Sequence, residues 1–215
     1  MRAKQKTELP ARKTFRHGDL RRALLETGIQ LARDGGPNAV VLREATRRAG
    51  VAPNAAYRHF SSRGDLLQAV RSAALSSLAL MIEAEIAGLP RSKRAADAAR
   101  ATLHAVGTGY LKFALTETGL FRTAFSVPDQ VEADIDIAKT GQSGLNPFQL
   151  LGSALDMMVA AGALPRERRP RAEYLAWSAV HGFAFLVIEG PLSGMSRKDI
   201  RVLAERLLRM VERGL

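Results

Sequence analysis

Apolar residues along this chain recur at three- and four-residue intervals, the period of a helix with one buried face, and nowhere in strict alternation. From Gly18 and Asp19 onward, Leu20, Ala23, Leu24, Thr27, Leu31 and Ala32 share a helical face; Asp19 is placed to cap the start, and Gly35-Gly36 stops the run. Two short amphipathic segments follow at about 41–49 and 53–60, parted by Gly50. A longer stripe (Leu66, Leu67, Val70, Ala73, Ala74, Leu78, Met81) starts near Ser62 and closes around Gly88-Leu89-Pro90. Beyond it, segments near 94–116, 119–126, 147–163, 171–190 and 197–213 are rich in Ala and Leu and bounded by Pro, Gly or Asn. Residues 127–146, broken by Pro128, Gly141, Gly144 and Pro147, read as a loop or broken helix. The pattern predicts an all-α protein without internal repeats. It divides into a flexible basic arm (1–15), a three-helix helix-turn-helix domain (16–61) and a larger helical domain (62–215).

The stretch from Val40 to Leu67 carries the most specific chemistry. Leu42, Ala45 and Ala49 lie on one face of the first short helix. Gly50 sits where the turn needs a positive φ, and Val51 can plug the space between the helices. Pro53 suits a first helical turn, where its missing N–H would be unpaired anyway, and Ala56 and Phe60, four apart, anchor the second helix inward. That is a helix-turn-helix, which lays its second helix in the DNA major groove. Pro53, Asn54, Ala55 and Arg58 are left on the exposed N-terminal end that meets base edges. Arg58 can donate a bidentate pair to guanine and Asn54 can pair with adenine, while Ala55 or the Pro53 ring can touch a thymine methyl. Tyr57, His59, Arg63, the outward Arg43 and the amides near Ser61 and Ser62 suit phosphate oxygens.

Charge strengthens that reading. Of the net +11, residues 1–63 hold 14 Lys and Arg against 5 Asp and Glu, a balance of +9, and residues 64–215 hold 18 against 16. The basic excess therefore coincides with the motif, and double-stranded DNA is the expected partner. The absence of cysteine removes disulfides, thiol catalysis and thiolate metal sites, and fits a reducing compartment. No uninterrupted apolar run nears the roughly 20 residues of a membrane span, and no hydrophobic leader opens the chain, so a cytoplasmic protein without membrane association is expected.

An enzyme is not expected, nor a metal or other cofactor. His17, His59, His104 and His181 are scattered, and no phosphate-binding or nucleophile-elbow motif is present. Asp129, Glu132, Asp134 and Asp136 lack the glycine and closing glutamate of a calcium loop and read as a solvated loop. Asp156 reads as a helix-surface carboxylate, with a ligand contact as the alternative.

The pattern from Arg16 to Leu67 resembles the DNA-binding domain of the TetR family of bacterial transcriptional regulators. The residues that carry it are His17-Gly18-Asp19-Leu20-Arg21, Gly35-Gly36, Leu42-Arg43-Glu44, Ala49-Gly50-Val51, Tyr57-Arg58-His59-Phe60, and Arg63 with Leu66-Leu67. Val41 and Ala52 depart from the family's usual capping Ser or Thr, Ala45-Thr46 from its Ile-Ala pair, and Arg63 from a common Lys. Trp177, His181-Gly182 and Glu189-Gly190 resemble one subgroup of that family, as do Tyr110, Phe113-Ala114, Leu120-Phe121 and Phe125.

The resemblance implies a homodimeric, ligand-responsive regulator, a repressor acting on a near-palindromic operator. A fourth helix would link the DNA-binding head to an effector-binding body. Candidate walls for a pocket that takes a small apolar or amphipathic effector are His104, Tyr110, Phe113, Phe121, Phe125, Phe148, Met157, Met158 and Trp177. Leu175, Val180, Phe183, Val187, Leu203, Leu207 and Met210 on the last two helices are candidates for the dimer interface. The rival reading is a DNA-binding structural protein without an effector, its body serving only to dimerise.

Overall fold

The structure, a computed structural model, describes residues 17–128 and 134–215, with side chains from Leu20 onward. The arm expected at 1–15, the capping side chain of Asp19, and Asp129 and Glu132 of the acidic loop lie outside the described residues. Among those described there are nine α-helices and no strand. An N-terminal helix-turn-helix domain is built from α1 (His17–Gly35), α2 (Leu42–Ala49) and α3 (Pro53–Ala56). The helical C-terminal domain follows with α4 (Arg63–Ala87), α5 (Ala95–Thr116), α6 (Thr118–Ala124), α7 (Pro147–Ala160), α8 (Ala172–Ile188) and α9 (Arg197–Gly214).

Helix α4 joins the two. Ser62 Oγ accepts from the Asp65 amide at 3.1 Å, and the Asp65 carboxylate accepts in return from the Ser61 amide at 3.1 Å, so the start is capped from both sides. Its buried residues Leu66, Val70, Ala74, Leu78 and Ile82 repeat every fourth position and pack against α1, α5 and α6. By length and composition α4 could cross a membrane, which counting uninterrupted apolar runs did not reveal. Serines break the run, and the helix absorbs them. Ser77 Oγ donates to the Ala73 carbonyl at 2.9 Å, Ser76 Oγ to that of Thr140 at 2.7 Å, and Ser72 Oγ to Asp136 at 2.9 Å.

Close backbone approaches fix the packing of the body. A β-carbon at Gly109 of α5 would lie 2.6 Å from the Ile82 Cα, so α4 and α5 meet almost main chain to main chain. Asn146 and Gln149 form a reciprocal capping box at the start of α7, with Pro147 in the first turn. The described part of the 127–146 segment is a structured strap rather than a solvated loop. Lys139, only 4% exposed, pairs with Asp134; Asn146 Nδ2 donates to the Asp134 carbonyl at 3.2 Å; and Asp136 holds Ser72. Asp134 is matched by a buried cation within the strap, while Ser72 and Ser76 of α4 bond Asp136 and the Thr140 carbonyl and so pin the strap to that helix.

Candidate functional site

Two regions gather functional side chains. In the head, Gly50 adopts φ 70° and ψ 30°, the left-handed turn that ends α2. Neither Val41 nor Ala52 supplies a side-chain cap to the helix that follows it. Buried Thr46 satisfies its hydroxyl on the Arg43 carbonyl at 2.7 Å. The regular part of α3 ends at Ala56, short of the predicted 53–60. From there the turn tightens: the His59 amide donates to the Ala56 carbonyl at 2.9 Å, and the Phe60 amide shares the same acceptor at 3.0 Å. That sharing buries Phe60 beside Ala56, and the Arg21 guanidinium stands 5.0 Å over the Phe60 ring.

Pro53, Asn54, Tyr57 and Arg58 are exposed together, Ala55 and His59 are half-buried, and Arg43 is exposed on α2. Arg63 lies differently from the expectation of an outward phosphate donor. Its Nε donates to the Val40 carbonyl and its Nη2 to the Pro37 carbonyl, both at 2.9 Å, so it braces the α1–α2 connection. The Ser61 amide, expected to be open to phosphate, is taken by Asp65. Arg47 and Arg48 both bond Glu44, whose carboxyl pKa falls to about 2 through those hydrogen bonds; Arg48 also reaches Asp34 at 3.2 Å.

In the body, helices α4 to α9 and the strap line a cavity of about 540 Å³. Of the predicted wall residues it brings together His104, Tyr110, Phe125, Phe148 and Trp177. Phe113 and Met158 are instead fully buried core, Met157 is exposed, and Phe121 stands behind the wall, its ring edge-on to Tyr110 at 5.8 Å. Helical phase explains the difference. Met157 and Met158 lie one and two positions past Asp156, which points outward to pair with Arg169 at 2.7 Å, away from the cavity. Val180, placed in the dimer set, lines the cavity too.

Sequence reasoning left His181, Arg71, Lys139 and Asn146 out of the wall. Trp177 and His181 are four apart on α8 and so share a face, a signal that was available for His181. The other three come from the strap and α4, which no local pattern links to α8.

Polar groups in the wall form a chain. Trp177 Nε1 donates to the Tyr110 oxygen at 3.1 Å, and that oxygen stands 2.6 Å from His181 Nδ1. Burial pushes the Tyr110 phenol above its ordinary range and the His181 imidazole below its own. His104 Nε2 meets Glu205 of α9 at 3.1 Å. No group of three or more histidine or acidic side chains placed to hold a metal lies among the described residues.

Large apolar residues are exposed on α8, and two more stand among the charged residues of α9. Leu175 (67% exposed) and Met210 (60%) from the predicted interface set are among them, with Phe185 (54%), Leu186 and Val202, which that set omitted. Val180 and Val187 are buried within this chain, and Phe183, Leu203 and Leu207 are half-buried. The exposed α8 residues at 175, 178, 182 and 185 keep a seven-residue repeat that the predicted set missed by mixing two faces.

Residues 103–211 match the family described as tetracyclin repressor-like, C-terminal domain, and residues 24–70 match the bacterial regulatory proteins of the tetR family. No curated protein matches the chain. Among solved structures, a protein of unknown function from Rhodococcus sp. RHA1 is 24% identical, with a TM-score of 0.70 over 97% of this chain and 99% of that one. A protein from Shewanella sp. PV-4 assigned to the tetR family of transcription regulators is 15% identical, with a TM-score of 0.59 over 88% and 95%. The TetR family transcriptional regulator PfmR from Thermus thermophilus is 17% identical, with a TM-score of 0.54 over 89% and 98%. At these identities the structures share the fold with this chain.

Proposed function

Because the chain belongs to the TetR family of bacterial regulatory proteins, we propose that it is a cytoplasmic, homodimeric repressor whose hold on its operator is released by a small apolar molecule in the cavity. The observation that carries this reading is that the same two helices touch both regions. Helix α4 contributes Arg71, Leu75 and Ile82 to the cavity, and near its start Leu66 and Val70 press on α1 so closely that a β-carbon at Gly28 would come within 2.8 Å of Val70 Cγ2. Helix α6 contributes Ala124 and sets Phe121 against Tyr110 and His181, while its Gly119 rests on the last turn of α1.

A ligand that spreads the wall therefore displaces elements on which the head is seated. It weakens DNA binding to the extent that it binds the displaced arrangement more tightly than the DNA-competent one. The exposed apolar residues of α8, with Val202 and Met210 of α9, take a second copy, which sets two heads on a two-fold axis. Pro53, Asn54, Ala55 and Arg58 read base edges, and Arg43, Tyr57 and His59 hold phosphates. The protein acts by binding rather than by catalysis.

Footprinting the purified protein on DNA flanking its own gene tests the reading. The expected result is a protected near-palindrome with half-sites about one helical turn apart. Compounds that raise the melting temperature are then added to the footprint. A stabilising compound that saturates the protein yet leaves operator affinity unchanged would favour a DNA-binding structural protein over a switch.

A further inference from the structure

The hydrogen-bond chain in the cavity wall has a direction. Indole Nε1–H can only donate, so Trp177 gives its proton to the Tyr110 oxygen at 3.1 Å. The phenol oxygen could accept twice, but its own O–H has no other acceptor among the described residues, so it donates to His181 Nδ1 at 2.6 Å. An Nδ1 that accepts carries no proton, so the neutral ring holds its proton on Nε2. Burial keeps that ring neutral by lowering its pKa. The Nε2–H has no partner among the described residues, and the ring lines the cavity, clasped by Phe121 and Phe125 at 5.4 and 5.0 Å between centroids. A fixed donor thus stands in an aromatic wall, short of one acceptor.

We infer that the cavity takes a flat, uncharged aromatic molecule whose carbonyl oxygen accepts from His181 Nε2–H while its rings lie among Phe125, Phe148 and Trp177. Three fused rings fit comfortably within about 540 Å³. An anion is disfavoured because both cations of the wall are engaged: Lys139 holds Asp134, and Arg71 donates to Gln68 and to the Val127 carbonyl. A carboxylate beside the neutral imidazole would lose its hydration, and the cations it could turn to already hold partners of their own. The inference rests on the cavity being the effector site.

Calorimetric titration with 9-fluorenone, fluorene and fluorene-9-carboxylate tests it, alongside long-range proton–nitrogen NMR of the histidine rings. The NMR is expected to show His181 protonated on Nε2 and bare on Nδ1. Fluorenone is expected to bind about five-fold more tightly than fluorene, the factor given by a net ~1 kcal/mol for one hydrogen bond. His181→Phe should bind both equally while still binding fluorene, which also shows that the variant is folded. Tyr110→Phe should shrink the preference and release the tautomer. A proton on Nδ1 in the wild type, equal affinity for ketone and hydrocarbon, tightest binding of the carboxylate, or no binding of any probe would each overturn the inference. None of these results alters the operator footprint, so the regulatory reading stands or falls separately.

Discussion

The seam between α6 and the last turn of α1 offers the sharpest test of how body and head are joined. A β-carbon added at Gly119 would overlap the carbonyl oxygens of Ala32 and Arg33 and lie 2.8 Å from the Arg33 carbonyl carbon. Carbon atoms in contact prefer about 3.5–4.0 Å, so Gly119→Ala must open the seam by roughly 1 Å. The obstructing atoms are backbone and cannot rotate aside. Overpacking of this kind costs about 1–3 kcal/mol. For a chain of this size that corresponds to a fall of about 2–12 °C in melting temperature. Because α1 belongs to the head, the tilt should also weaken operator binding, and the neighbouring Arg33–Glu117 pair at 2.6 Å would be strained in the same movement. Thermal unfolding and operator titration of the variant are compared with Gly88→Ala, whose new β-carbon would meet only ordinary contacts at 3.6 Å. If Gly119→Ala melts within a degree of wild type and binds operator equally well, the seam is looser than described and cannot carry the coupling.

The two arginines of the motif should separate in behaviour. Arg58→Ala is expected to relax preference at one base pair, by ~1–3 kcal/mol, with little effect on melting. Arg63→Ala should instead lower the melting temperature, by the equivalent of about 1 kcal/mol, because the Val40 and Pro37 carbonyls lose their donor; unchanged melting would remove its bracing role. Phe185→Glu on the exposed side of α8 should turn the proposed dimer into monomer by light scattering at micromolar concentration, and an unaltered dimer mass would place the interface elsewhere. Finally, burial holds the folded pKa of His181 below its ordinary 6.5, so at lower pH the unfolded chain takes up a proton that the folded chain refuses. Its contribution is complete above pH 6.5 and is lost as pH falls from there towards the folded value. The loss precedes that of Glu83, whose carboxyl starts from an ordinary 4.5; burial works against its ionisation, but hydrogen bonds from Ser143 and Gln142 prevail and hold it lower still. Melting temperature should therefore drop between pH 7 and 5.5 in the wild type and less steeply in His181→Phe. Equal slopes would show that the ring titrates as if in water.

Local pattern was enough to read the helix-turn-helix frame of the head, though not the early end of α3 or the bracing contacts of Arg63. Gly50 is required by a positive φ, Pro53 by a helix start, and Ala56 and Phe60 by their four-residue spacing, and all of these are properties of neighbours along the chain. The cavity was legible only in part, since its aromatic residues announce themselves but their phase does not. Phe113 and Tyr110 sit three apart on α5, yet one is core and the other lines the cavity. Lys139 and Arg71 carry no signal of their place in the wall, because nothing in the sequence shows a strap folding back on α4. On the outer surface, Phe185 was passed over for Phe183 because both are apolar and only the packing of α8 on α5 and α9 decides which is covered.

The clamp of Glu44 on Arg47 and Arg48 bears on how the head meets a polyanion in salt solution. Each phosphate neutralised by a protein cation sets free a condensed counter-ion, giving a slope of about −0.9 in log affinity against log salt per contact. Arginines that already hold a carboxylate of their own chain bring little new charge to the phosphates, and Arg33, tied to Glu117, is in the same position. The number of ions released should therefore fall below what the 14 Lys and Arg of the first 63 residues imply. The complex would then outlast rises in ionic strength that dissociate a protein holding DNA by bulk charge alone.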